Sequence, residues 1–241
     1  MHSIQLTQHG LTHFIAGSAY NFRALTAKTH FIDDTKRALD QMQIKPDELY
    51  TGTQVHGVNM AYCDGTNGED YLIGRNFPDT DGLITDQPNI ALLIKYADCS
   101  PIVLFDPVKR VHALLHAGWR GTVQRISEHA LVMMENRFGS DRADILAYIG
   151  PSIDQQNYEV GDEVYEAFSE FERRDRFFTK RSKRWYLSMS AANLESLLNA
   201  GLKKNQIEVS RQSTYTSPAL HSARKEGQDY QLNALITMMK D

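Results

Sequence analysis

Three short segments of this 241-residue chain are rich in reactive and turn-forming residues, and each contains one residue whose side chain can bind a metal ion or perform nucleophilic or base chemistry. These residues are His56, Cys99 and His116, and they lie in residues 53–57 (Thr-Gln-Val-His-Gly), 97–101 (Ala-Asp-Cys-Ser-Pro) and 116–122 (His-Ala-Gly-Trp-Arg-Gly-Thr). Two imidazoles and one thiolate suit Zn²⁺ and leave a fourth coordination position for water or substrate. Their spacing is that of neither a zinc finger nor the compact His-x-Glu and Cys-x-x-Cys deaminase pattern. The residue types alone therefore do not identify the site.

Two other interpretations of these residues stay open at this point. Cys99 can be a small buried hydrophobe, with His56 as a turn residue and His116 as a strand-end residue bonded to the backbone. Alternatively, Cys99 can be a nucleophile that His116 activates as a base, which would make the protein a metal-free cysteine hydrolase or deamidase. A metal site, a structural role and a catalytic thiolate remain alternatives.

Composition argues against several function classes. The chain has 26 Lys and Arg against 30 Asp and Glu, a formal net charge of −4, which does not suit a basic nucleic-acid-binding protein. Its apolar runs are far shorter than the ~20 residues of a membrane-spanning helix, and two cysteines make no disulfide framework. The first residues lack the basic and apolar regions of a signal peptide. We therefore expect a cytoplasmic protein with neither nucleic acid nor membrane as a partner.

The three segments are expected where strands meet turns or a helix. Short apolar runs separated by turn residues predict strands at residues 82–85, 90–94, 102–105, 111–115 and 145–149. Helical spacing of apolar residues predicts a helix over residues 123–137 that ends at Gly139, and further helices at residues 35–42, 164–171 and 194–198. Neither a linker nor a repeat divides the chain, so one domain over residues 1–241 is expected.

The three segments, in this order, resemble the YfiH family, whose members are described as laccase-like polyphenol oxidases or purine nucleoside phosphorylases. The motifs that carry the resemblance are Gln-Val-His-Gly, Ala-Asp-Cys and His-Ala-Gly-Trp-Arg-Gly, with Asp81-Gly82 between the first two and residues 149–153 (Ile-Gly-Pro-Ser-Ile) after them. The resemblance extends from about residue 50 to about residue 165. It implies an α+β fold, with a mixed two-sheet β core flanked by helices in α-β-β-α layers.

The resemblance also implies a cofactor and an activity. His56, Cys99 and His116 correspond to the family's metal ligands, with Zn²⁺ as the expected ion and Cu²⁺ as an alternative. The implied reaction is zinc-dependent phosphorolysis of adenosine, inosine and related nucleosides, so small-molecule nucleosides and phosphate are the expected partners. Adenosine deamination and a weaker copper-linked phenol oxidation are attributed to family members. A cell-wall-precursor editing hydrolase is an alternative that another family name suggests.

The two ends of the chain depart from the family pattern. A Gly-Gly-Val-Ser-like loop is absent from residues 14–23. Near the carboxyl end, the family pattern Phe-Ser-Tyr-Arg-Arg corresponds to residues 221–225 (His-Ser-Ala-Arg-Lys), and a later family arginine is missing. Ser222 and Arg224 keep the pattern, and the resemblance implies that they bind substrate.

Other residues near the three segments are candidates for the surrounding chemistry. Arg120 precedes the predicted helix, where its guanidinium and the free N–H groups of a helix start can bind phosphate. Asp98 and Asp81 are the nearest candidates for proton transfer, although each can equally be a turn-forming aspartate that accepts backbone N–H groups. His112 is four residues from His116, but on a strand two such residues lie ~13 Å apart, which argues against a shared metal ion.

A true multicopper oxidase is not expected. Such an enzyme needs His-x-His pairs for a trinuclear copper cluster, and none of the nine histidines belongs to such a pair. A non-enzymatic metal-storage or scaffold module is a further alternative. The open fourth position that three ligands leave argues against it, because structural zinc sites are usually closed.

Overall fold

The structure, a computed structural model, describes residues 2–24 and 28–241. Within these residues the strands are β1 (Leu11–Ala16), β2 (Glu48–Gly52), β3 (Met60–Tyr62), β4 (Glu69–Asp70), β5 (Arg75–Phe77), β6 (Gly82–Thr85), β7 (Ile90–Tyr96), β8 (Ser100–Asp106), β9 (Val111–Ala117), β10 (Leu146–Ile149), β11 (Glu159–Val160), β12 (Phe178–Arg181), β13 (Arg184–Leu187), β14 (Ile207–Val209) and β15 (Asn233–Met239). The helices are α1 (Ile4–Gln8), α2 (Lys28–Gln41), α3 (Trp119–Val123), α4 (Ile126–Phe138), α5 (Asp162–Ala167), α6 (Met189–Asn199) and α7 (Ala223–Glu226). Strands and helices are mixed along the chain.

Two mixed sheets form the centre of the fold. The first has the strand order β1-β15-β7-β2-β5-β4, and the second has the order β14-β10-β8-β9-β6-β3. Each contains both kinds of neighbour: β7 is antiparallel to β15 and parallel to β2, while β6 is antiparallel to β9 and parallel to β3. A third, smaller sheet has the order β11-β13-β12.

The two large sheets pack face to face, with helices on their outer faces. Successive residues of a strand point to opposite faces of its sheet. In β9, Leu114 therefore belongs to the core between the sheets, whereas Ala113 and Leu115 belong to the core shared with α4 and α6. On the far side, Leu93 of β7 packs in a cluster with Phe31 of α2. The order of layers is α-β-β-α, which confirms the predicted fold class.

The strands around the middle of the chain confirm the predictions from apolar runs. β6, β7, β8 and β9 contain the four predicted segments, and β10 lies within the fifth. β1 and β15 were not predicted, and they pair antiparallel from Leu11↔Met239 to Ala16↔Ala234. Because these partners come from opposite ends of the chain, no turn between them marks the pairing in the sequence.

The helix predicted over residues 123–137 is interrupted. The short helix α3 and the longer α4 occupy this stretch, and Arg125 separates them in a left-handed conformation with a φ of 61°. As predicted, Gly139 ends α4, with a φ of 67°. Arg120 therefore lies inside a five-residue helix that precedes the long one, and not directly at the start of the long helix. None of the helices in the described part of the chain is long and apolar enough to cross a membrane.

Candidate metal centre and its cavity

Strand ends bring the three predicted ligands together. His56 lies in the loop after β2, Cys99 lies in the turn between β7 and β8, and His116 is the last residue but one of β9. Because the β8–β9 register pairs Pro101 with His116, the turn that carries Cys99 lies beside the end of β9. The ligand atoms of the three side chains all lie within 4.8 Å of one another. Across residues 2–24 and 28–241, no other group of three or more His, Cys, Asp or Glu side chains can hold a metal ion.

This metal-ligand cluster (His56, Cys99 and His116) is compatible with a bound metal ion. Two nitrogens and one sulfur are a donor set of zinc and copper sites. The rings of His56 and His116 have centroids 4.9 Å apart and planes at 71°, so they reach the centre of the cluster from different directions. His116 is buried and His56 is exposed, so the exposed side of the cluster is accessible to a fourth ligand.

The buried carboxylate of Asp81 forms hydrogen bonds with the side chain of His116 and with the backbone of the loop that carries His56. It accepts a hydrogen bond from Nδ1 of His116 at 2.8 Å and bonds from the backbone N–H groups of Val55, His56 and Gly57 at 2.8–3.0 Å. With Nδ1 donating to Asp81, Nε2 of His116 is the nitrogen that can bind a metal ion. Burial opposes ionisation of Asp81, but the bonds from His116 and the loop N–H groups lower its pKa. Asp81 therefore has the contacts of a turn-forming aspartate that also orients a ligand.

The backbone at positions 56 and 118 allows the cluster to close. His56 adopts a positive φ of 63°, and the hydrogen bond from its N–H to Asp81 fixes this unusual conformation. At Gly118, a Cβ atom would lie 2.8 Å from Cδ2 of His56 and 3.1 Å from Sγ of Cys99. Any side chain at position 118 would therefore push two ligands apart, which explains the glycine in this motif.

Cys99 and His116 stabilise each other's charged forms. Burial opposes ionisation of Cys99, but the charges and hydrogen bonds of His116 and His56 lower the pKa of its thiol to about 6. Burial also opposes protonation of His116, but Cys99 and Asp81 raise its pKa to about 9. At neutral pH the metal-free cluster thus holds a thiolate beside an imidazolium. The thiolate is the form of cysteine that binds metal ions and attacks electrophiles.

We expect iodoacetamide to alkylate Cys99 and not Cys63 in the metal-free protein. Because the pKa of Cys99 is lowered to about 6, its thiolate forms as the pH rises through that value, and the alkylation rate at pH 7 is already close to its plateau. Cys63 is fully buried, and burial raises the pKa of its thiol, so it is an internal control. Peptide mass spectrometry over a pH series measures both cysteines. Equal labelling of the two, or labelling of Cys99 that added zinc does not reduce, would contradict this assignment.

Asp98 is bonded to two distant segments of the chain. It precedes Cys99 in the turn between β7 and β8 and has a positive φ of 83°. Its Oδ1 accepts a hydrogen bond from Oγ1 of Thr214 at 2.6 Å, and its Oδ2 accepts one from the backbone N–H of Arg224 at 2.7 Å. Both carboxylate oxygens of Asp98 therefore stabilise the turn that carries Cys99. This is the turn-forming role that was the alternative to proton transfer for Asp98.

Arg120 and Arg224 lie near Tyr158, on one side of Cys99. Arg120 is exposed, and its guanidinium lies 4.3 Å from the ring centroid of Trp119. The guanidinium of Arg224 lies 5.3 Å from the ring centroid of Tyr158. Burial and the charge of Cys99 raise the pKa of Tyr158, whereas the charges of Arg224 and Arg120 lower it. The two arginines and the Cys99 thiolate therefore all lie close enough to the half-buried Tyr158 to affect its pKa.

Ser222 and His112 lie outside the metal-ligand cluster. Ser222 is the N-cap of α7, and its buried hydroxyl accepts a hydrogen bond from the N–H of Lys225, so it fixes the start of the helix that carries Arg224. His112 is fully buried on β9, and burial lowers its pKa to about 3. It does not belong to the cluster, in agreement with the strand spacing.

A cavity of about 580 Å³ opens onto the cluster, whose three ligands form part of its wall. Much of the remaining lining is aromatic, including Phe22, Tyr71 and Tyr230, and Gln54 and Lys95 add polar groups. The sequence analysis assigned no role to these five residues. One signal was available, because Lys95 interrupts an otherwise apolar run that forms β7.

Comparisons with known proteins show which family of proteins this chain resembles in sequence and fold. Residues 21–239 match the family described as multi-copper polyphenol oxidoreductase laccase. A protein from Bacteroides thetaiotaomicron named purine nucleoside phosphorylase is 34% identical over 199 residues, which cover 78% of this chain and 72% of that protein. Adenosine deaminase RL5, from an unknown prokaryotic organism, is 34% identical over 213 residues, which cover 81% of this chain and 79% of that protein. The crystal structure of the hypothetical protein YfiH from Bacillus licheniformis superposes with a TM-score of 0.83 at 29% identity, covering 88% of this chain and 82% of that one. The chain therefore belongs to the laccase-like YfiH family, as its motifs predicted.

Proposed function

We propose that this protein is a metal-dependent purine nucleoside phosphorylase, which converts adenosine, inosine and related nucleosides with phosphate to the free base and ribose 1-phosphate. The observation that carries the proposal is the position of the three metal ligands on the wall of a cavity of about 580 Å³. That volume lies within the usual range for small-molecule sites. The relative from Bacteroides thetaiotaomicron, named purine nucleoside phosphorylase, supports this substrate class.

We propose zinc as the ion that His56, Cys99 and His116 hold. A zinc ion there would supply Lewis-acid catalysis to the cavity. The role of Asp81 in this proposal is to orient His116 and the His56 loop, and the role of Asp98 is to anchor the turn that carries Cys99. Hydrogen bonds that occupy both carboxylates support positioning roles for the two aspartates.

The remaining residues of the proposed site divide between base and phosphate. The aromatic lining of the cavity, which includes Phe22, Tyr71 and Tyr230, offers surfaces on which a purine can stack. Arg120 and Arg224 are the cationic side chains near Tyr158, and in this proposal they bind incoming phosphate. Capping of α7 supports Arg224 in that position.

Adenosine deamination is a second candidate activity, because a relative that is 34% identical is named adenosine deaminase RL5. The metal-ligand cluster has no second counterpart among residues 2–24 and 28–241. The proposal therefore assigns both reactions to one cavity, in which phosphate and water compete. Copper in the same three ligands is the proposed source of any phenol oxidation, since one mononuclear site is not a multicopper centre.

Chromatography of reaction mixtures tests the proposed function. Zinc-loaded protein is incubated with adenosine, inosine, guanosine and, as a control, uridine, with and without phosphate. We expect purine release from the purine nucleosides only when phosphate is present, and rising phosphate should convert adenosine to adenine at the expense of inosine. Base release that does not depend on phosphate would identify a hydrolase and would overturn the phosphorylase proposal.

Replacing Arg120 by lysine should raise the KM for phosphate and leave the KM for inosine nearly unchanged. Lysine keeps the positive charge but loses the planar fork that binds two phosphate oxygens at once, so we expect an increase of roughly tenfold. Initial-rate kinetics with each substrate varied in turn measure both constants. Arg211→Lys, at an exposed position with no role in the site, is the control. A raised KM for inosine at unchanged KM for phosphate would contradict the assignment.

We further propose that residues 1–241 act as one catalytic domain in the cytoplasm. Cys63 and Cys99 are both free thiols. A metal site that depends on a thiolate ligand functions best where that thiol stays reduced.

A further inference from the structure

Lys95 lies in the cavity on a rigid element. It belongs to β7, and both its backbone N–H and its carbonyl bond to the side-chain amide of Gln54, at 2.9 and 2.6 Å. Its Nζ donates a hydrogen bond to the carbonyl of Gly52 at 2.9 Å. An ammonium group has three donors, so this bond leaves donors for a ligand. The strand and the Gln54 bonds thus fix the base of a cationic side chain at the cavity wall.

The charges around this cavity are unbalanced. Among the described residues, its lining contains Lys95 and Arg23 and neither aspartate nor glutamate. In the part of the chain that the structure describes, Lys95 has no carboxylate within 4.0 Å. Arg23, by contrast, donates to the carbonyls of Gln228 and Tyr230 and lies over the Tyr230 ring. Within the described ranges, Lys95 is therefore a lining cation with no carboxylate partner, and one backbone carbonyl is the acceptor for its Nζ.

Lys95 is half-buried, and a charge that is partly removed from water is costly unless a counter-ion accompanies it. Burial lowers the pKa of Lys95 to about 8, so the side chain is still mostly protonated at pH 7. An anion bound beside Nζ would offset the cost of burial and would use the remaining donors. The Gly52 carbonyl alone supplies neither a full negative charge nor enough acceptors.

We propose that Lys95 binds a phosphoryl group inside the cavity. That this group takes part in the reaction rests on the proposed phosphorylase function. Two sources share the chemistry: inorganic phosphate as the co-substrate, and the 5′-phosphate of a nucleoside monophosphate. Arg120 and Arg224 lie near Tyr158 and do not line the cavity. Inorganic phosphate bound at Lys95 would therefore take the role that the proposed function gives to these arginines, and comparison of Lys95→Met with Arg120→Lys decides between the two positions.

Isothermal titration calorimetry without turnover tests this assignment. Zinc-loaded wild type, Lys95→Met and the control Lys45→Met, at an exposed lysine outside the cavity, are each titrated with inorganic phosphate, with AMP and with inosine. Loss of one charge-assisted hydrogen-bond partner should weaken phosphoryl binding roughly 10- to 100-fold, with inosine binding unchanged. Weakened binding of phosphate alone identifies the co-substrate as the source, and weakened binding of AMP alone identifies a nucleotide.

Thermal melting separates this role from a structural one. Because Lys95 is charged and half-buried without a carboxylate partner among the described residues, Lys95→Met should melt at the same temperature as the wild type or higher. If the methionine variant fails to fold, Lys95→Gln, which can still donate to the Gly52 carbonyl, takes its place in the titrations. Equal affinity of wild type and folded variant for both phosphate and AMP overturns the inference, as does a wild type that binds neither. Lys95-dependent phosphate binding without nucleoside turnover would sustain it while refuting the proposed function.

Discussion

Replacing Cys99 by alanine should empty the proposed metal site and abolish the proposed nucleoside phosphorolysis. The substitution removes the only sulfur ligand of the metal-ligand cluster and leaves His56 and His116, and two imidazoles are fewer than the three protein ligands that catalytic zinc sites use. It also removes the thiolate that raises the pKa of His116. Elemental analysis after dialysis should find about one zinc ion per wild-type chain and less than about a tenth of that in the variant.

The matched control for this variant is Cys63→Ala. Cys63 is fully buried in the core between the sheets. Its Sγ–H donates a long hydrogen bond of 3.8 Å to the carbonyl of Ala61. Its replacement should lower the melting temperature slightly by leaving a small cavity, and it should leave metal content and activity unchanged. Stoichiometric zinc in Cys99→Ala, or loss of zinc in folded Cys63→Ala, would show that the ligands are assigned wrongly.

Replacing Asp81 by asparagine should weaken metal binding roughly 10- to 100-fold, the usual cost of losing a group that orients a ligand. The carboxylate accepts hydrogen bonds from the imidazole of His116 and from the His56 loop, and an amide has one acceptor oxygen and an NH₂ group that faces donors. The ring of His116 and the loop of His56 therefore lose their fixed orientation together. Competition with a zinc chelator measures the affinity.

The control for Asp81 is Asp86→Asn. Asp81 directly precedes β6, and Asp86 directly follows it. Asp86 accepts a hydrogen bond from the hydroxyl of Tyr62 at 2.7 Å and lies outside the cluster and the cavity. Its replacement should leave zinc affinity unchanged. A folded Asp81→Asn protein that binds zinc as tightly as the wild type would show that Asp81 does not orient the ligands.

The grouping of His56, Cys99 and His116 was predictable from the sequence, because the three segments that carry them match the motifs of the family. Each of His56, Cys99 and His116 lies in a segment whose own turn residues mark the end of a strand, and these segments are also the motifs of the family. The contacts of Asp81 and Asp98 were not predictable in the same way. The hydrogen-bond partners of Asp81 lie 24 to 35 residues away in the sequence, and those of Asp98 lie 116 or 126 residues away. Only the fold therefore reveals whether the hydrogen bonds of each aspartate favour turn formation or proton transfer.

The fold was predictable to a similar extent. Strands β6 to β9 are neighbours in sequence and carry continuous apolar runs, so their pattern alone marks them. The pairing of β1 with β15 joins the two ends of the chain, and local patterns contain no information on such partners. Lys95 shows the same limit, because a lysine in an apolar run becomes meaningful only when the cavity around it is known to contain no carboxylate.

The alternative of a metal-free cysteine hydrolase makes a different use of the same residues. A thiolate beside an imidazolium suits acyl transfer as well as metal binding, so the lowered pKa of Cys99 does not separate the two functions. His56 does, because its contact with the other two residues is needed for a three-ligand metal site and not for a Cys–His pair. His56→Ala should therefore lose zinc and phosphorolysis together.

Phosphorus NMR of one reaction mixture tests the central claim most directly. Zinc-loaded wild-type protein is mixed with inosine and inorganic phosphate, and the spectrum is followed with time beside an identical sample of Cys99→Ala. We expect a ribose 1-phosphate resonance to grow in the wild type as inorganic phosphate declines by the same amount, and no change in the variant. Hypoxanthine release from the wild type without ribose 1-phosphate, or an unchanged spectrum with zinc bound at all three ligands, would contradict the claim.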